Sequence, residues 1–407
     1  IKKEFLKSFG LKHRNFFLHF KFNTHKIESP RIKPEGKGEI HLNEEYMRRA
    51  ISLAKKGCGY TNPNPLVGAV IVKDGKIIGE GYHEKIGELH AERNALKNCK
   101  EDPEGAEIYV TLEPCCHYGK TPPCTQALIE AGIKKVYVGN TDPNPKVAGG
   151  GIKILKEHGI EVETGILEEE CRQLNDIFFH YIQSDIPYTA LKYAMTLDGK
   201  IATAAGESKW ITSETAREHV HKLRHQYAAI MAGIGTVLAD DPMLNARIEN
   251  GNDPIRVICD SNLRIPLKSK IVTTAGQIRT IIATTSNDEG KIRNLTQMGC
   301  EIIKTTEENG RVNLKELLRK LRKMEIDSVL TEGGGTLNEA LIQNGCVHKV
   351  YAYIAPKLVG GETAKTPVEG KGISKLKDAV IFDELKATAL GNDILLEGKV
   401  KRCLPES

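Results

Sequence analysis

The sequence predicts an α/β protein of two domains, and three observations carry that expectation. A chain of 407 residues exceeds what a single hydrophobic core usually organises. "PLVGAVIVKDGKIIGEGYH" places two apolar runs around Asp74-Gly75, a two-residue hairpin signal. Short apolar runs then alternate with helical segments in two successive stretches, the pattern of layered sheets covered by helices. The boundaries expected are a basic leader over 1–40, one domain over 41–185 and a second over 186–407.

The elements follow in order. Residues 1–40 lack sustained periodicity and are rich in Lys and Phe, so they read as a disordered or artefactual leader; a targeting arm would carry more serine. "NEEYMRRAISLAKKG" reads as a helix, with Asn43 as its expected N-cap, acids in the first turn and Gly57 at the end. "HAERNALKNC" reads as a helix, "AEIYVTLEP" as a strand, "CTQALIEAG" as a helix, "KKVYVGNTDP" as a strand and "GGIKILKEHGIEVETGI" as a helix and strand. In the second stretch "YTALKYAMTLDGKIAT" is a strand entering an Asp-Gly turn. "RVICD", "TIIATT", "SVLTEGG", "KVYAYIAP" and "DILLEGKV" are further strands, with "SETAREHVHKLRH" and "LKELLRKLRK" as helices between them.

Composition narrows the class of function. Hydrophobic residues make up 40% and charged residues 27%, ordinary for a globular protein. No apolar run is long enough to span a bilayer, because "NFFLHFKF" at 15–22 is short and carries His19 and Lys21. The net charge of +5 is concentrated in the leader, whose local excess of +6 leaves the remainder at −1. A near-neutral body argues against a nucleic-acid partner. Ten cysteines scattered over a long chain without a secretion signal fit a reduced, cytoplasmic protein. Cys58, Cys99, Cys171, Cys259, Cys300, Cys346 and Cys403 are expected to be ordinary buried or half-buried thiols.

The remaining cysteines sit in "TLEPCCHYGKTPPC", downstream of "ELHAERNAL". Zinc takes imidazole nitrogen and thiolate sulfur, and a catalytic site keeps three protein ligands. A glutamate beside the metal, and not on it, can shuttle a proton to a leaving amine. His90 and Glu92 followed by Pro114-Cys115 and Cys124 supply these parts in the order of a zinc deaminase. The departure is the spacing: eight residues separate Cys115 from Cys124, where the compact signature has two. A closed structural site using Cys116 as fourth ligand would strain neighbouring residues and leave Glu92 without a purpose. The lengthened loop includes His117 and Lys120, a ring donor and a point charge suited to phosphate. In the second stretch "TEGGGTLNEAL" is strand, glycine loop and helix, a place where backbone N–H groups can meet a phosphate.

"TNPNPLVGAVIV", "GYHEKIGELHAE", "TLEPCCHYGKTPPC" and "NTDPNP" resemble the deaminase half of the bifunctional deaminase–reductase of riboflavin biosynthesis. "MTLDGKIAT", "ESKWIT", "GTVLADDPMLNAR" and "TEGGGTLNEAL" resemble its reductase half, and the likeness runs from about 43 to the C-terminus. The resemblance implies a cytidine-deaminase-like three-layer domain followed by a dihydrofolate-reductase-like domain. It implies zinc on His90, Cys115 and Cys124, with Glu92 as proton shuttle and Cys116, a frequent serine in that family, as a bystander. Deaminase substrate contacts are implied at Asn64, His83, His117, Lys120, Asp142 and Asn144. NADPH would lie along Ala194, Trp210, Thr236, Asp240 and Gly333, Gly334 and Gly335. Ser208, Arg224, Leu244, Arg247 and Glu332 would meet the second substrate, with Lys200 near the reacting sugar. Taken without the resemblance, Trp210 reads as a core anchor, Arg224 as part of a solvated helix face and Arg247 as the better phosphate anchor.

The activity implied is hydrolytic deamination of 2,5-diamino-6-ribosylamino-4(3H)-pyrimidinone 5′-phosphate, then NADPH-dependent reduction of the ribosyl side chain to ribityl. The partner expected is a small phosphorylated pyrimidine, with no nucleic acid and no membrane, acted on by a cytoplasmic homo-oligomer. Two rivals remain in view. A base deaminase of RNA or nucleosides with an accessory second domain is disfavoured by the long Cys spacing and the near-neutral body. A zinc-stabilised nucleotide-binding module has no need of Glu92.

Overall fold

The structure, a computed structural model, describes residues 37–118, 122–144 and 148–401, with side chains from residue 42 onward. Residues 1–36 of the leader, Lys120 and Cys403 lie outside them.

The first domain runs α1 (Lys37–Ala54), β1 (Gly68–Lys73), β2 (Lys76–Tyr82), α2 (Ala91–Lys97), β3 (Glu107–Leu112), α3 (Cys124–Glu130), β4 (Lys135–Asn140), α4 (Gly150–Glu157), β5 (Glu161–Thr164), α5 (Glu168–Leu174) and α6 (Asp176–Gln183). The five strands lie in the order β2-β1-β3-β4-β5. The expected hairpin pairs β1 with β2 antiparallel, closing Lys73 on Lys76 around Asp74 and Gly75, both with positive φ. β3, β4 and β5 are parallel. Period-two alternation buries both faces of β1. Ala69 and Ile71 join Ile108, Val110, Leu128 and Leu155 on one side, while Val70 and Val72 join Met47, Ile51, Tyr109 and Tyr137 on the other. Helices therefore cover the sheet from both sides, the expected three layers. One expectation fails. Asn43 does not cap α1, which begins at Lys37; its Oδ1 instead accepts from the Tyr109 hydroxyl at 2.7 Å. A buried tyrosine needs an acceptor, and that tertiary demand outweighs a local capping preference.

The second domain continues β6 (Tyr188–Thr196), α7 (Glu214–Gln226), β7 (Ala229–Gly233), α8 (Ile234–Asp240), β8 (Ile255–Cys259), α9 (Lys270–Thr273), β9 (Thr280–Thr284), α10 (Glu289–Gln297) and β10 (Cys300–Lys304). A small hairpin, β11 (Glu307–Glu308) and β12 (Arg311–Val312), leads to α11 (Leu314–Lys323), β13 (Ser328–Thr331), α12 (Gly335–Gln343), β14 (Lys349–Ala355), β15 (Phe382–Leu390) and β16 (Asp393–Val400). Sequence signals are well honoured in the helices. Ser213 Oγ accepts from Ala216 N at the start of α7, and Asn313 Oδ1 accepts from Glu316 N at the start of α11. On α11 Leu314, Leu317, Leu318 and Leu321 are all buried, one helical stripe, with Lys and Arg on the other face.

The nine strands lie in the order β10-β9-β8-β7-β13-β6-β14-β16-β15. All neighbours from β10 to β14 are parallel, and β16 is antiparallel to both β14 and β15. The chain steps outward from β7 to β10, then returns to insert β13 between β7 and β6. That reversal makes the carboxyl ends of β6, β7 and β13 the place where open α/β sheets form their ligand crevice.

A histidine pair beside β6 gives the fold an acid sensitivity. The His348 ring packs on His180 and Tyr188 with centroids 4.1 and 5.2 Å away, and its Nδ1 accepts from Thr189 N at 2.9 Å. Burial, then the neighbouring His180, holds the His348 pKa down to about 3. The unfolded chain takes up this proton near pH ~6.5 and the folded chain does not, so stability present above that pH drains away as pH falls towards 3. Chemical denaturation across pH 7 to 4 is expected to show this slope, up to ~1.4 kcal/mol per pH unit for this one group, and His348→Asn to flatten it. An unchanged slope in the variant would exclude His348 as its source.

Candidate functional site

In the first domain the site forms where α2 and α3 meet the carboxyl end of β3. His90 is the N-cap of α2 in extended backbone, which turns its ring towards the sheet end, and Glu92 follows in the first helical turn. Pro114 takes the chain off β3 so that Cys115 faces the same point. Cys124 is the first residue of α3 and is fully buried. The ligand atoms of His90, Cys115 and Cys124 lie within 4.8 Å of one another. His90 Nδ1 faces both sulfurs, at 3.5 Å from Cys115 Sγ and 3.4 Å from Cys124 Sγ. One nitrogen and two sulfurs converging from three elements is a donor set suited to zinc. Cys124 N donates to Cys115 Sγ at 3.3 Å, so a helix N-terminus supports the thiolate. The hydrogen bond from the Cys124 thiol, and then His90, hold the Cys115 pKa well down, while the same bond drives Cys124 up. Burial, and then the negative Cys115, push the Glu92 carboxyl up to about 7. A buried carboxyl beside the cluster is placed to take and return a proton.

The residues expected around the substrate fall into three groups. Asn64 Nδ2 lies 3.2 Å from His83 Nε2, and His83 Nδ1 lies 3.1 Å from Leu89 O. The His83 ring meets His90 edge-on at 5.4 Å, so Asn64 and His83 lie beside the His–Cys–Cys cluster. Asp142 is buried, and its Oδ1 accepts from Asn144 N at 2.8 Å in a short turn after β4. His117 is exposed on the long loop. Sequence reasoning passed over Glu113. This buried carboxylate accepts from Asp142 N, Gly149 N, Gly151 N and Ile152 N at 3.2, 3.0, 3.0 and 3.1 Å, fastening the turn after β4 and the start of α4. The signal was present: an acid between an apolar strand and Pro114 must be satisfied if it is buried.

In the second domain the expected residues lie near or after the carboxyl ends of these strands. Ala194 is near the end of β6, and Lys200, Ser208 and Trp210 follow it. Thr236 and Asp240 lie on α8 after β7, and Leu244 and Arg247 on the loop beyond. Glu332 and the three glycines follow β13. Gly334 is the N-cap of α12, and a Cβ added there would meet nothing within 4 Å. At Gly335, by contrast, a Cβ would lie 2.6 Å from Thr366 O, so the turn requires glycine for close approach. The open space beside Gly334, at the start of a helix, leaves room for a dinucleotide phosphate.

Two bland expectations fail here. Trp210 is no core anchor: it is 62% exposed, with the Arg217 guanidinium 4.6 Å over its ring. Arg224 is not solvated. Its side chain is 13% exposed and forms a bidentate pair with Glu332, Nε to Oε1 at 2.7 Å and Nη2 to Oε2 at 2.9 Å. Lys192 Nζ, which sequence reasoning missed, donates to Glu332 Oε2 at 3.0 Å. A lysine inside the apolar run "YTALKYAM" was its signal. Ser208 Oγ lies 3.4 Å from Asp240 Oδ1, and Lys200 Nζ donates to Ala364 O at 3.2 Å. Arg247 is exposed, and its Nε donates to Asn245 Oδ1 at 3.1 Å.

A three-layer domain with a His–Cys–Cys cluster beside a buried glutamate, followed by a mostly parallel sheet whose β13 runs through a glycine loop into α12, defines the class: a zinc deaminase fused to a nicotinamide-dependent reductase. Comparison with known proteins gives the particular family. Residues 40–140 match the cytidine and deoxycytidylate deaminase zinc-binding region, and residues 187–396 match the RibD C-terminal domain. The riboflavin biosynthesis protein RibD of Actinobacillus pleuropneumoniae is 58% identical over 354 residues, 87% of this chain and 94% of that protein. The Escherichia coli RibD is 42% identical over 370 residues, covering 87% and 98%. Among solved structures, Acinetobacter baumannii RibD superposes with a TM-score of 0.79 at 40% identity, covering 89% and 99%. The Thermotoga maritima deaminase/reductase gives 0.77 at 39% identity, covering 89% and 100%. The chain belongs to the RibD family and is a bifunctional deaminase and reductase of riboflavin biosynthesis, using zinc and NADPH on a small phosphorylated pyrimidine.

Proposed function

We propose that His90, Cys115 and Cys124 hold the zinc, that Glu92 moves the proton, and that the crevice residues of the second domain hold NADPH and the ribosyl phosphate. The observation that carries the reading is the convergence of one imidazole nitrogen and two sulfurs within 4.8 Å, next to a buried carboxyl. Zinc, when bound, supplies an ionised water as nucleophile, and NADPH, when bound, supplies hydride. The chain supplies the rest. Glu92 takes a proton and returns it to the departing 2-amino group of the diaminopyrimidine. Asn64 and His83 border the ring site, while Asp142, whose backbone Glu113 fastens, and Asn144 make further contacts to the substrate. His117, and Lys120 outside the described residues, stand on the long loop as phosphate partners. In the second domain Gly333, Gly334 and Gly335 receive the cofactor phosphates at the start of α12, with Ala194, Trp210, Thr236 and Asp240 along its length. Ser208, Arg224, Arg247 and Glu332 face the substrate, Leu244, whose side chain is buried in the core, offers only its backbone, and Lys200 stands by the sugar. The working limits are 41–185 for the deaminase and 186–407 for the reductase.

Two chemically separate sites give a direct test. Supplied with the diaminopyrimidine phosphate, the enzyme is expected to release ammonia and then oxidise NADPH in equal amounts. Lys200→Ala is expected to slow NADPH oxidation by about tenfold or more and leave ammonia release unchanged, since a positioned ammonium is worth ~1.4 kcal/mol or above in such a site. Loss of both activities together would refute two independent sites.

The protein is further proposed to act in the cytoplasm, as a homo-oligomer, without nucleic acid or membrane as partner. The body charge of −1 supports the first exclusion, and among the described residues no helix is long and apolar enough to cross a membrane. Edge strand β15 supports self-association: it exposes Phe382 and Leu385, with exposed Ile381 just before it, apolar side chains that a second copy would cover.

A further inference from the structure

Between α8 and β8 the chain crosses residues 241–254 without regular structure, and this loop carries Arg247. Four of its residues, Asp241, Leu244, Arg247 and Asn250, hold left-handed backbone, with φ of 41°, 52°, 52° and 57°. Each costs a non-glycine residue roughly 1 kcal/mol, so the surroundings must hold the shape. Part of that support comes from the reductase itself. Leu244 is buried with Ile230, Val237 and Ile258, Ala246 N donates to Asp253 Oδ1 at 2.8 Å, and Arg224 Nη1 donates to Asn245 O at 3.0 Å.

Beyond Arg247 the support comes from the deaminase. Tyr60 hydroxyl donates to Asn250 O at 2.9 Å, and Asn252 Nδ2 donates to Gly59 O at 2.9 Å. The Tyr60 ring meets the His225 ring edge-on at 4.7 Å, and His225 Nδ1 accepts from Asn252 N at 3.0 Å. Gly59 has φ 80°, and a Cβ there would fall 2.5 Å from both His225 Nε2 and His225 O, so glycine alone permits this approach. His225 is the neighbour of Arg224, which grips Glu332 and Asn245. A second tie, Asn62 Nδ2 to Asp327 Oδ1 and Oδ2 at 3.1 and 2.9 Å, is rooted just before β13, the strand that leads to Glu332.

We infer that segment 59–62 of the deaminase domain is a positioning element of the reductase: it fixes the loop that presents Arg247 to the phosphate of the ribosylamino-uracil substrate. The inference rests on the reading of Arg247 as a phosphate contact. Reduction therefore depends on the neighbouring domain for its grip on the phosphate, and not for its hydride chemistry.

The test uses the full chain and the already deaminated substrate, followed by NADPH oxidation. Tyr60→Phe, which removes one hydroxyl, and Asn252→Ala are each expected to raise KM for that substrate about fivefold, the equivalent of one ~1 kcal/mol hydrogen bond. The kcat, the KM for NADPH and the rate of ammonia release should stay as they are. With the dephosphorylated nucleoside the variants should match the parent, because Arg247 then has nothing to hold, a result that general loosening of the structure would not produce. Arg247→Ala is measured alongside. If it raises KM for the phosphorylated substrate and the other two do not, the positioning role is overturned while the phosphate reading stands. If Arg247→Ala leaves KM unchanged, the phosphate reading falls and the inference with it. An increase that persists with the nucleoside also overturns it.

Discussion

Glu92→Ala is expected to keep its zinc and lose ammonia release by ~10²–10⁴-fold, the range supplied by a positioned general acid and base. Zinc retention follows from the ligand set, since the three converging donor atoms belong to His90, Cys115 and Cys124 and none to Glu92. The loss of rate follows from burial. Glu92 is only 3% exposed, so bulk water cannot readily replace its proton transfer. Its carboxyl sits near pH 7 because burial and the negative Cys115 disfavour its charge. Metal content by atomic absorption and ammonia release by coupled assay separate the two consequences. A variant that deaminates at the parental rate would sink the assigned mechanism; one that loses zinc would place Glu92 on the metal. NADPH oxidation with the deaminated substrate should be untouched in either event.

Glu332→Ala is expected to cost ~3–5 kcal/mol in the second domain and to abolish NADPH oxidation. The carboxylate is 9% exposed and faces two cations, Arg224 at 2.7 Å and Lys192 at 3.0 Å, themselves 13% and 14% exposed. Burial by itself would raise its pKa, yet Arg224 and then Lys192 hold it far below the usual carboxylate range. Removing it strands two positive charges in a poorly hydrated crevice, and the lost attraction cannot be made up by water. It also frees Arg224, whose guanidinium positions Asn245 at the start of the substrate loop. Denaturant unfolding followed by a probe in the second domain reads the stability change, with ammonia release as the control for the first. Glu332→Gln keeps the shape and hydrogen-bonding oxygen and should lose less. An Ala variant as stable as the parent would show that the triad contributes no net stability.

The candidate metal site, where His90, Cys115 and Cys124 converge, was legible almost residue by residue because its signal is local and chemical. Only a few side chains bind zinc, and His90, Glu92, Cys115 and Cys124 appear in an order that the following strand and helix explain. The hairpin at Asp74-Gly75 and the leucine stripe of α11 were equally plain, since turn chemistry and helical period act over a few residues. The crevice residues could be named only through family likeness. A glycine turn between strand and helix is common, and nothing local marks Trp210 as exposed or Arg224 as buried.

Other features became visible only when distant segments met. Asn43 looks like a helix cap until Tyr109, far along the chain, needs its oxygen. Glu113 looks like a strand-end acid until four backbone N–H groups from the next loop and helix converge on it. Lys192 and Arg224 acquire their meaning from Glu332, and Tyr60 from Asn250 across the domain boundary. Which chemistry the chain can perform was readable along the chain, because donor atoms, turn residues and hydrophobic period are properties of residue types and spacing. Tertiary structure alone decided which charges are buried, which partners satisfy them and how one domain braces the other, because those depend on where water is excluded once the layers close.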